Sequence, residues 1–160
     1  MTNDTRPMHG PRRPPQRGAS LIEVLVAVLI LSLGLLGMAA LQSRAVKGNI
    51  SSGQRAQAVM LSHYILDVMR VDRENARGGQ YNTGANFICD PTAFAGANLA
   101  DTSRRGWLTS VKQNMGRADD NTTCAHIACD ADFACTVQIR WDDSMSGGLA
   151  NQTFVIASRV

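Results

Sequence analysis

Aromatic residues make up only 5% of this 160-residue chain, and charged residues only 18%. So little charge argues against wide disorder, and so few rings leave no large aromatic core to build. No proline occurs between Pro15 and Pro91, so nothing in that stretch forbids a long helix. The signatures of catalysis are missing too. There is no glycine-rich phosphate loop, no nucleophile elbow and no paired general acid and base. Ser20, Ser32 and the pair Ser51-Ser52 have no companion histidine at an interpretable spacing. The expectation is a structural or binding protein with no cofactor, not an enzyme. No internal repeat is present.

The formal charge of +3 and the pI of about 8.9 invite a nucleic-acid reading. Position removes it. Arg6, Arg12, Arg13 and Arg17 against Asp4 place the whole +3 in residues 1–18, and the other 142 residues hold equal numbers of basic and acidic side chains. Residues 118–160 carry six acidic and two basic side chains, a balance that repels phosphate. No direct nucleic-acid binding is expected, and Arg104-Arg105 is too short a basic spot to reverse this.

The leader, residues 1–18, holds four of the five prolines and no aliphatic cluster, so it is expected to be disordered. Leu21–Leu41, LIEVLVAVLILSLGLLGMAAL, follows with one charge, Glu23. At about 1.5 Å per residue this run makes a helix of about 32 Å, enough to cross a bilayer core. Arginines flank only its N-terminal side, so the positive-inside rule keeps the leader cytoplasmic and sends the rest outward. A secretory signal would carry its cleavage site after the apolar run. Here the distinctive residues precede it: Gly18-Ala19-Ser20-Leu21-Ile22-Glu23 puts a glycine at the charged-to-apolar boundary and a carboxylate five residues on.

That hexapeptide, with its basic flank and retained apolar run, resembles the processing site of type IV prepilins and pseudopilins. The resemblance implies cleavage after Gly18 by a prepilin peptidase, loss of the leader and N-methylation of the new terminus. Phenylalanine is usual after the glycine, and Ala19 stands in its place. Glu23 has its own physical argument, because a carboxylate within a membrane segment is costly and normally paired. Cleavage would give Ala19 an α-amino group with a pKa of about 8. That amine could meet Glu23 of its own chain, one helical turn away, or of a staggered neighbour. The latter pairing is the role the resemblance implies.

Beyond the apolar run, Val46, Ile50, Val59, Met60, His63, Tyr64 and Leu66 fall near three-and-four spacing, which predicts that the helix continues amphipathically to about Arg70. His63 is expected to be partly buried. Gly34, Gly37, Gly48 and Gly53 are expected to let the helix bend or locally melt. Turn residues around Gly78-Gly79 end it. Residues 89–117 read as loop with a short helix near 105–115. Residues 135–141 and 152–157 read as strands joined through Gly147-Gly148. One or two more strands are needed, and the sequence does not locate them. Leu33–Gln42, Arg73–Ala76 with Gly79–Tyr81, and Val137–Asp143 resemble stretches of PilV-type minor pilins. Trp107 and Trp141 are expected to serve packing.

Cys89, Cys124, Cys129 and Cys135 form an even set in a small exported domain, which predicts two disulfides. Three connectivities are open; pairing Cys89 with the 124–129 region would tie the long loop to the sheet. Zinc is the alternative, with His126 beside the thiols, but the spacing is not that of a structural zinc site. His126 is read instead as a polar loop residue. Asp119-Asp120, Asp130 with Asp132, and Asp142-Asp143 lack a calcium loop and read as a solvated acidic rim.

The expectation is an α+β fold of pilin type: a long N-terminal helix, transmembrane and then amphipathic, on a small antiparallel, disulfide-stapled sheet. Its parts would be a cleaved leader (1–18), a membrane and filament-core half-helix (19–42), an amphipathic half (43–76) and a periplasmic or extracellular domain (77–160). The resemblance implies a minor pilin that primes pilus assembly and supports twitching motility or adhesion. Its implied partners are the other minor pilins, the major pilin, the prepilin peptidase, the inner membrane and its pilus assembly machinery. The chain would wait in the inner membrane and then enter the filament or its tip. The alternatives are a minor pseudopilin of a type II secretion system and an uncleaved single-pass membrane-anchored binding protein.

Overall fold

The computed structural model describes residue 18 and residues 20–160. Helix α1 spans Leu21–Val71 and runs without interruption through Gly34, Gly37, Gly48 and Gly53. A one-turn helix, α2 (Arg73–Arg77), follows, and α3 covers Leu99–Met115. The strands are β1 (Cys124–Cys129), β2 (Ala134–Trp141) and β3 (Gln152–Arg159), antiparallel in the order β1-β2-β3. The α+β expectation holds: a long N-terminal helix, a small antiparallel sheet and two disulfides. By its contacts the chain divides between Leu41 and Gln42. The first unit holds the apolar part of α1, where an 18-residue window reaches a mean hydropathy of 2.7 with none of it buried.

Within Gln42–Val160, α1 turns a narrow face inward: Ala58, Ser62, Ile65, Leu66 and Met69. Against it pack Trp107, Leu108 and Val111 of α3 and Ile127, Val137, Ile139 and Trp141 of the sheet. This corrects the sequence expectation. Val46, Ile50, Val59, Met60, His63 and Tyr64 are exposed, and of the residues named for the stripe only Leu66 is buried. Ala58 and Ser62 let the helix approach closely at one end of this face, and Ile65, Leu66 and Met69 fill the rest of it. The carbonyl of Leu61 accepts the indole N–H of Trp107 at 2.8 Å, fixing α3 to α1.

Helix α3 begins six residues earlier than the short helix predicted from 105. Asn98 caps it by accepting Asp101 N–H at 2.8 Å and returning its own amide to the Asp101 carboxylate at 3.0 Å. This reciprocal cap satisfies the Asp101 N–H, which has no carbonyl a turn earlier within the helix to bond. The strand the sequence did not locate is β1, which contains His126. That residue is therefore in the sheet and not in a loop, with its Nε2 2.9 Å from the carbonyl of Gly84. Gly116 ends α3 where a β-carbon would lie 1.9 Å from the Thr123 hydroxyl, so only glycine fits.

Asp119, Asp130, Asp132 and Asp142 are exposed, as a solvated rim requires, while Asp120 and Asp143 are drawn inward, and several of the six also anchor turns. Asp120 accepts the N–H groups of Arg117, Thr122 and Thr123 and the Thr123 hydroxyl. Asp130 accepts from Asp132 and Ala134, and Asp142 from Ser144. Asp143 is buried and takes the Ser51 hydroxyl at 2.6 Å. The carboxylates of Asp120, Asp130 and Asp142 substitute for missing backbone acceptors where the chain reverses, and Asp143 instead ties its turn to α1.

Candidate functional site

The chemistry-bearing residues fall into two groups. The first is the start of α1. Ser20 precedes the helix, and its carbonyl accepts the N–H groups of Glu23 at 3.0 Å and Val24 at 3.2 Å, closing the first turn. Glu23 lies in that turn, where an acidic side chain complements the positive end of the helix dipole. Gly18 is exposed, and a β-carbon there would meet nothing within 4 Å. Packing among the described residues therefore makes no demand for glycine at this position. Ala19 lies outside the described residues. From Leu21 to Leu41 every side chain is exposed. The run includes Leu21 at 79% and Leu36 at 70%, a continuous apolar cylinder with no cover of its own.

Residues 13–39 match the prokaryotic N-terminal methylation motif. The motif spans Gly18, Ala19 and Glu23 and most of the uncovered apolar helix, so the matched sequence and the exposed surface coincide. It supports a protein of the type IV pilin and pseudopilin kind, a structural subunit processed by prepilin peptidase and assembled with other pilins. No curated protein and no solved structure matches the chain. The motif covers 27 residues, and the rest of the chain rests on its own geometry.

The second group is the cysteines. Cys89 pairs with Cys124 and Cys129 with Cys135. The first bond ties the segment before α3 to the start of β1. The second joins directly opposed residues of β1 and β2, at a pair that exchanges no backbone hydrogen bonds, where side chains come closest. All four sulfurs are thereby committed, so the thiols do not form a zinc set around His126. Phe87 stacks near that imidazole, with ring centroids 5.7 Å apart.

Trp107 and Trp141 are both buried. Trp107 has its acceptor on Leu61, whereas the Trp141 indole N–H has none among the described residues. Lys112, which the sequence reading did not single out, is 3% exposed and bonds the carbonyls of Cys89 at 2.8 Å and Asp120 at 2.6 Å. Its position in the helical series Leu108, Val111, Lys112, Met115 is the signal that it faces inward.

Proposed function

We propose that the chain is a minor pilin of a type IV pilus, PilV-like, held in the inner membrane by α1 with its disulfide-bonded domain outside the cytoplasm. The observation that carries this reading is the coincidence of the methylation motif at residues 13–39 with an apolar helix whose 18-residue membrane window is 0% buried. Such a surface needs lipid before assembly and like helices after it. Because lipid is as apolar as a helix bundle, burial alone cannot drive the transfer, and packing with polar pairing must supply the specificity.

Cleavage after Gly18 would create that polar element. The Ala19 amine of one subunit would meet Glu23 of a staggered neighbour, and each would neutralise the other in an apolar filament core. The charged leader Met1–Gly18 would be lost in the same step, leaving side chains of formal charge zero. The filament's partners would be the major pilin and other minor pilins, with priming of assembly, twitching and adhesion as the cellular outputs.

Intact mass of the membrane-extracted protein tests the reading. A chain beginning at Ala19, with or without one added methyl group, is the expected result; a chain beginning at Met1 makes it an uncleaved anchor and refutes it. Glu23→Ala should still be cleaved but fail to enter filaments, and normal incorporation of that variant would refute the pairing role. Co-purification with pilus rather than secretion-system subunits separates the pilus from the type II secretion system, whose pseudopilins share the motif.

A further inference from the structure

The two edges of the sheet are treated differently. At the β1 edge, every backbone group that points away from β2 has a partner in residues 82–88. Ala125 exchanges two bonds with Ile88, at 2.8 and 2.9 Å. The Ile127 carbonyl accepts Thr83 N–H at 2.9 Å, and its N–H donates to the Thr83 hydroxyl at 3.0 Å. The N–H and carbonyl of Cys129 both bond the Asn82 side chain, at 2.6 and 3.1 Å. That edge is closed.

The β3 edge is open. The bond from Val160 N–H to the Phe133 carbonyl, together with the β2–β3 register, makes residues 152, 154, 156 and 158 the ones that bond β2. The backbone groups of Thr153, Val155 and Ala157 therefore point away from the sheet, and among the described residues none has a partner. Edge strands are normally blunted by proline, by inward charge or by a covering segment. From Gln152 to Ser158 there is neither proline nor charge, and Val155 is 54% exposed.

A cleft of about 270 Å³ adjoins the start of this edge, lined by Arg55 and Val59 of α1, Trp141 of β2, and Gln152 and Phe154 of β3. Its wall is mostly apolar, and it includes the fully buried Trp141 whose indole N–H is unpartnered. Arginines mark both ends of the edge. Arg55 bonds Gln152 at 3.3 Å at one end. Arg159 closes β3 at the other, beside Arg70, which bonds Ser158 at 2.8 Å and pairs with Asp67.

We propose that the open β3 edge and the α1–β3 cleft form a strand-addition site for an extended peptide segment of a partner protein, with acidic flanks and one large apolar side chain seated in the cleft. Main-chain bonds to Thr153, Val155 and Ala157 supply the affinity, and the cleft with its arginine-marked ends supplies the selection. A second copy fits poorly. Antiparallel β3–β3 pairing about Ile156 sets Arg159 of each copy opposite Thr153 of the other, and β3 itself carries no acidic side chain to meet the arginines at its ends.

The test is selection of a random displayed peptide library, about ten residues long to match the reach of an eight-residue strand, on the full chain in detergent micelles. The Val155→Pro chain serves as counter-target. Proline there removes an outward N–H while leaving the β2 ladder whole, and far-UV circular dichroism confirms that the variant folds. A second variant, Val59→Trp, fills the cleft and leaves the edge intact. The expected peptides alternate β-branched residues around one aromatic or leucine, with Glu or Asp at the ends. They should bind either variant at least about tenfold more weakly, a difference of about 1.4 kcal/mol. Peptides held equally by Val155→Pro, or an absence of enrichment, would overturn the proposal. So would a wild-type dimer in sedimentation that Val155→Pro dissolves, since the edge would then serve a second copy.

Discussion

Replacing Lys112 with methionine should lower the stability of the Gln42–Val160 unit by about 2–4 kcal/mol. The ammonium is buried and donates to the carbonyls of Cys89 and Asp120, with Asp120 Oδ1 3.8 Å away. Methionine keeps the long unbranched stem and removes these interactions. Hydrogen bonds to a charged group contribute about 1.5–3 kcal/mol each, so two set an upper range of about 3–6. A cleft of about 220 Å³ beside Lys112, Cys89 and Asp120 lets water reach the abandoned carbonyls, which brings the loss down to the stated range. For a unit of 119 residues, about 4 °C per kcal/mol translates this into a fall in Tm of about 8–16 °C. Near-UV circular dichroism of the full chain in micelles reads it. The effect should shrink at acid pH. Burial pushes the Asp120 carboxyl up, but the N–H groups of Arg117 and Thr123, the Thr123 hydroxyl and Lys112 together hold it below the ordinary range. Its stabilisation is therefore present above the unfolded value of about 3.9 and disappears as pH falls through the folded one. A Tm within about 3 °C of wild type at neutral pH would show that the buried ammonium contributes nothing net, and would refute the reasoning.

The two disulfides should contribute unequally, because they close loops of different length: sequence separations of 35 for Cys89–Cys124 and 6 for Cys129–Cys135. Loop-closure entropy gives about 3.8 and about 2.2 kcal/mol respectively. The Cys89→Ser/Cys124→Ser pair should therefore melt several degrees below the Cys129→Ser/Cys135→Ser pair, and the reverse order would refute the entropic account. The Tyr81 phenol, buried and bonded to the Asp72 carboxylate at 3.0 Å, is pushed up to about 12 by burial and by that acceptor and its charge. In a Tyr64→Phe background, absorbance at 295 nm should titrate near 12. Stability should be lost as pH rises from about 10 through the folded value, and a midpoint near 10 would mean the Tyr81–Asp72 bond is not made.

The parts of this protein that could be read from sequence are those decided by linear pattern. The apolar run, the glycine before it and Glu23 within it sit in one fixed order along the chain. The exposed helix beneath them follows from composition alone. The β2 and β3 strands announce themselves through Val137, Ile139, Val155 and Ile156. By contrast β1, Cys-Ala-His-Ile-Ala-Cys, has one β-branched residue in six and little strand preference of its own. It is a strand because β2 pairs with one edge, residues 82–88 close the other, and a disulfide holds each end. None of these partners is a neighbour in sequence except the hairpin.

The inward face of α1 departs from the sequence pattern for a related reason. Spacing and apolar bulk single out Val46, Ile50, Met60 and Tyr64 over Ala58 and Ser62, whereas packing selects for distance of approach as much as for apolar area. Ile65, Leu66 and Met69 share the inward face with Ala58 and Ser62, while Met60 and Tyr64 are both 57% exposed. At about 100° per residue, Val46, Ile50, Met60, Tyr64 and Val71 fall within an arc of about 80°, so they form one stripe along the exposed side of the helix. This stripe lies uncovered on the part of α1 that belongs to the folded domain. If the apolar helix leaves lipid for a filament, neighbouring helices should cover the stripe as well. Ile50→Asp and Met60→Asp lie outside the core, so each should leave the monomer's melting temperature within a few degrees of wild type while reducing incorporation into filaments. A full complement of either variant in filaments would place the packing surface in the membrane half alone.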